Sequence, residues 1–172
     1  MAQPMVQYIR NQEERKHKPM MKVTTNFDAT HPDFFNREHK RNRFNTDRWD
    51  YNCGGYALGI YVWYQFENYL DTVWEVGVEE MTRLCVDAIL RDFPTLRVIN
   101  DLRELQKNER AIAFRICEKD FHFIMRHKNG HWSHKPGRTF IRSITKAEVF
   151  NPKGWELSRV YDGPLVLFAM GE

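Results

Sequence analysis

A chain of 172 residues and 20.7 kDa has the size of one domain with a buried core. Its 42% hydrophobic and 14% aromatic content excludes an intrinsically disordered protein. The net charge of +3 is uneven: residues 1–48 hold ten lysines and arginines against six acids, and residues 49–172 hold sixteen against seventeen.

In chain order, residues 1–45 mix charged and polar residues with isolated aromatics and show no sustained period. They read as a basic, weakly ordered arm, ahead of a domain over 46–172. Within the arm, REHKRNR (37–43) is a candidate contact for a nucleic acid or an acidic partner protein. From residue 50 the character changes. Asp50 or Asn52 can cap a helix whose first turn contains Cys53, and the apolar run predicts that this helix continues to about Asn68. A second helix is marked by Val78, Met81, Leu84, Cys85, Ala88 and Ile89 at three- and four-residue steps, ended by FPT (93–95). Cys85 lies on its apolar face as a core residue.

After residue 110 the period drops to two. AIAFRIC (111–117), FHFIMRH (121–127), HWSH (131–134) and PLVLFAM (164–170) read as strands, the middle two joined through KNG (128–130). TKAEVF (145–150) reads as a short helical turn and NPKGW (151–155) as a loop. Helices followed by strands predict an α+β domain with an antiparallel sheet.

Three cysteines, at 53, 85 and 117, do not form a disulfide framework and suit a reducing interior. The leading segment has no apolar run of signal-peptide length, and YALGIYVWY (56–64) is too short to span a bilayer. The expectation is a cytoplasmic protein with no membrane contact.

The chemistry candidates begin with Cys53. A helix amino terminus favours a thiolate through unpaired N–H groups and the positive dipole end. Gly54 and Gly55 leave open backbone beside the sulfur. A nucleophile needs a base and a group that orients the base. His122, between Phe121 and Phe123, is the base candidate, and the orienting group is His134, Asp120 or Asn151. Hairpin parity bears on that choice. A two-residue turn puts His134 opposite Met125, whereas a longer loop puts it opposite Ile124, on the face of His122. A metal site combining Cys117, His122, His127, His131 and His134 matches no familiar ligand spacing, so no metal or cofactor is expected.

The order of parts resembles the compact papain-like fold of NlpC-type cysteine peptidases and amidases. The supporting residues are NCGGYALG (52–59) and DFHFIMRHKNGHWSHKPG (120–137). The second segment is also similar to one in uncharacterised bacterial and phage proteins. The resemblance implies Cys53 as nucleophile, His122 as base and His134 as the third residue, with Asn52, Gly54 and Trp132 as substrate contacts. The reaction implied is hydrolysis or acyl transfer at an amide, peptide or isopeptide bond of a protein or peptide substrate. The other expectation is an inert interaction protein that binds a host component through the basic arm.

Overall fold

The computed structural model describes residues 20–25, 51–60, 62–137, 139–155 and 159–171. The basic stretch 37–43 and most of the arm lie outside them. Val23–Thr25 is a strand (β1), antiparallel to Tyr64–Phe66 (β2), so part of the segment read as an arm is paired to the domain.

A six-stranded antiparallel sheet forms the body. Its strands are Arg97–Ile99 (β3), Glu109–Cys117 (β4), Asp120–Arg126 (β5), Trp132–His134 (β6), Arg142–Ile144 (β7) and Val166–Gly171 (β8). They lie in the order β3-β8-β4-β5-β6-β7. The α+β class expected from the sequence is therefore present, with the longest helix and the helix that carries Cys53 on one side of the sheet.

Two helices cover that side. Cys53–Ala57 (α1) is a single short turn, and Tyr69–Asp92 (α2) is long. The helix expected to run from Cys53 to about Asn68 stops at Ala57 because Gly59 takes a positive φ of 72°. The aromatic, β-branched run beyond it becomes β2, the ambiguity a short apolar stretch always carries. The second helix starts nine residues earlier than its apolar face suggested. Gly77, with φ 80° and ψ 166°, breaks it into two segments, and only the second carries the clear apolar period.

Alternation along β4 and β5 then sorts the core into two layers. Ile112, Phe114 and Ile116 with Phe121, Phe123 and Met125 face the helices, where Cys53, Tyr56, Met81, Leu84 and Cys85 join them. Burial raises the Cys85 thiol well above its ordinary range, as suits a core cysteine. The opposite face carries Ala111, Ala113, Ile124 and Trp132. It is roofed by the segment after β7, including a second short helix, Lys146–Val149 (α3), with Trp155 and Tyr161.

Candidate functional site: a histidine pair at a cationic cleft

The hairpin between β5 and β6 has a three-residue loop. His127 N–H donates to His131 O, Gly130 N–H donates to His127 O, and Gly130 sits at φ 85°. Only a residue that tolerates positive φ closes such a loop, which gives the glycine of KNG its place. The loop sets the register Ile124↔His134, Met125↔Ser133 and Arg126↔Trp132. His134 therefore shares a face with His122, the longer-loop alternative.

The two imidazoles meet: His122 Nε2 and His134 Nδ1 are 2.8 Å apart, with their rings nearly perpendicular. His122 is 1% exposed and packs against Trp155 and Tyr161. His134 is 7% exposed and lines an open cleft of about 710 Å³. Both are held neutral. Burial drives His122 well below the ordinary imidazole value, and His134 reinforces the shift. Burial, then the Arg142 guanidinium, lowers His134 to about 4, with Glu148 opposing.

Charge in the cleft wall is asymmetric in use. Asp120 accepts from Tyr161 Oη at 2.9 Å and pairs with Arg159. Glu148 is engaged by Thr145, whose backbone N–H and hydroxyl both donate to Glu148 Oε2 at 2.7 Å. Arg142 and Lys153, also in the wall, make no ion pair among the described residues. Among the described residues the wall therefore carries three cations, Arg142, Lys153 and Arg159, against two acids, a net of one positive charge. Behind the pair, Arg115 stands opposite His122 in the register and lies over the Trp155 ring, donating from Nη1 to Gly163 O at 2.9 Å.

Cys53 is not brought to this cleft. Its helix packs on the other face of the sheet: a Cβ on Gly54 would lie 3.3 Å from the Phe123 ring, and Phe123 points away from His122 along the same strand. The expected substrate contacts, Asn52, Gly54 and Trp132, do not line the cleft either. Gly54 is closed in by Tyr64 and Phe123 instead of leaving open backbone. Asn52 is buried and spends its side chain on structure. Its Oδ1 accepts from Gly55 N–H and Tyr64 N–H, both at 3.1 Å, and its Nδ2 donates to Tyr64 O at 2.7 Å. Trp132 is buried in the layer under the roof. Asn151 closes its own turn by accepting from Lys153 N–H at 3.1 Å.

Sequence reasoning missed Arg142, Lys153, Arg159 and Trp155, which line the cleft from loops and a three-residue strand without period, and Tyr161, which packs on His122. Arg115 did leave a signal, a cation amid the apolar run AIAFRIC. Among the described residues no three histidines, cysteines or acids are grouped to hold a metal ion, and no helix is long and apolar enough to cross a membrane.

Fold and site together define an α+β protein with a buried histidine pair opening onto a positively charged cleft. No family model, curated protein or solved structure compared with the chain matches it.

Proposed function

We propose that the protein is a hydrolase in which His134, positioned by His122, is the general base, acting on an anionic substrate held by Arg142 and Lys153. The observation that supports it is the 2.8 Å contact between two neutral imidazoles, one sealed and one lining the cleft. His134 Nδ1 is engaged by His122, which leaves Nε2 for the cleft. When Nδ1–H donates to His122 Nε2, Nε2 carries the lone pair. That nitrogen takes a proton from water as the water oxygen attacks an acyl carbon. The resulting oxyanion lies within the field of Arg142, and the imidazolium returns the proton to the leaving amine as the carbon–nitrogen bond breaks. A base of pKa about 4 is weak. An anionic substrate beside it raises that value towards neutrality, so substrate binding itself prepares the base.

The papain-like reading, with Cys53 as nucleophile, is supported by a cysteine at the start of a helix capped by Asn52. It also requires a base on the helix face: His122 and His134 lie on the other one, and the imidazole on that face is His127, bonded to the same Ser133 Oγ that holds Tyr56 of α1. The two readings part on two variants assayed against a peptide library at neutral pH. Cys53→Ala is expected to retain turnover within about threefold, because Cys53 lies on the helix side of the sheet and does not line the cleft, whereas His134→Ala loses about a hundredfold or more. Loss of turnover in Cys53→Ala, with the fold intact by circular dichroism, would restore the thiol mechanism and refute this one.

A further inference from the structure

Exposed apolar side chains lie close in sequence to the residues that line the cleft. Of the six large ones among the described residues, Phe140 (54% exposed), Phe150 (42%) and Val160 stand within two residues of cleft-lining Thr139, Glu148 and Arg159. Alternation places Phe140 with the cleft cation, since Ile141 packs into the helix-side core and leaves Phe140 and Arg142 to the other face. Phe150 ends α3 between Glu148 and Lys153. Two segments that line the cleft thus each carry an exposed ring near a cation in the chain, Phe140 with Arg142 and Phe150 with Lys153.

Such walls select a ligand that joins a negative charge to a flat apolar group. Asp120 and Glu148 in the same wall bear on which anion. They repel a phosphate dianion, whereas beside a monoanionic carboxylate they can accept from the N–H groups of a peptide. We infer that the substrate is a peptide ending in an aromatic residue, its terminal carboxylate between Arg142 and Lys153 and its ring against Phe140 or Phe150, which brings the last amide bond to His134. This inference rests on the hydrolase reading above and adds the substrate class.

The test is binding of N-acetyl-phenylalanine to the full chain at neutral pH, measured by calorimetry against three probes. N-acetyl-alanine lacks the ring, N-acetyl-phenylalaninamide lacks the charge, and adenosine monophosphate offers a ring with a dianion. N-acetyl-phenylalanine is expected to bind about tenfold tighter than either truncated probe, and tighter than the nucleotide. Phe140→Ala with Phe150→Ala should erase the preference over N-acetyl-alanine and keep the preference over the amide. Arg142→Ala should do the reverse. Equal binding of the phenylalanine and alanine probes overturns the inference, as does tighter binding of the nucleotide. Because binding does not need the base, these outcomes are separate from the fate of His134→Ala: the ring preference can fail while that variant still abolishes turnover, and it can hold while turnover survives.

Discussion

Acid should destabilise this protein through the histidine pair before its carboxylates titrate. His134 has an ordinary value of 6.5 and a folded value of about 4, so between those limits the unfolded chain binds a proton that the native state refuses. Stability from this group is complete above 6.5, falls as pH drops, and is fully lost below about 4. Linkage puts the loss for His134 alone at about 2 kcal/mol by about pH 5 and about 3 kcal/mol by about pH 4. His122, lowered further still by burial, acts with the same sign. Glu109 and Glu148, held low by their partners, lose stability only on the acid side of the carboxylate range. Urea unfolding followed by tryptophan fluorescence suits the measurement, since Trp132 and Trp155 are buried in the layer that holds the pair. The comparison is wild type against His134→Gln, at about pH 7.5 and about pH 5. The variant should lose about 2 kcal/mol less on acidification. Equal losses in both proteins would show that the pair is not kept neutral by the fold, and with that the neutral base would fall.

Two further outcomes test the helix side of the sheet. Asn52→Ala removes the cap of α1 and strands the N–H and carbonyl of buried Tyr64, so it should cost about 3 kcal/mol in urea unfolding; a cost under about 1 kcal/mol would mean those groups find other partners. Tyr56→Phe breaks the 2.7 Å bond to Ser133 Oγ but leaves Ser133 bonded to His127 Nε2, and should cost about 1 kcal/mol by the same measurement.

Strands β1, β2, β3 and β7, three residues each, left no readable period, but β4, β5, β6 and β8 were legible because burial on both faces of a sheet still leaves β-branched and aromatic runs between turn signals, and the KNG loop announced its hairpin. The face of His134 was not, because a single residue of loop length inverts the parity of the whole partner strand. The first helix was overread for a related reason. Apolar content reports burial, and Tyr64 and Phe66 are buried in a strand as readily as they would be in a helix. The cleft was the least legible part. Its cations come from β7 and from the segment after α3, whose positions relative to His134 are set by strand order and by a roof locked in tertiary contact. In that roof, Trp155 Nε1 donates to Val149 O at 2.8 Å, and a Cβ on Gly154 would strike the Glu148 backbone.

The four residues WSHK explain how the helix carrying Cys53 can be tied tightly to a site it does not share. Trp132 and His134 point under the roof, one into its apolar layer and one onto His122. Ser133 points the other way and holds Tyr56 of α1. Lys135, 1% exposed, reaches the residue before Asn52, donating from Nζ to Tyr51 O at 2.5 Å and lying over the Tyr51 ring. Alternate residues of one short strand therefore fasten the helix on one face and present the base on the other. A thiol and an imidazole that react together must come within hydrogen-bond reach. Side chains on opposite faces of a paired strand are kept apart by the backbone itself, whatever their separation in sequence. Of the two faces, the helix side is filled around Gly54 by Tyr64 and Phe123 in contact, and the roof side opens onto solvent beside Arg142 and Lys153. Chemistry requires a substrate to arrive, and of the two paired imidazoles the one that lines the cleft is His134.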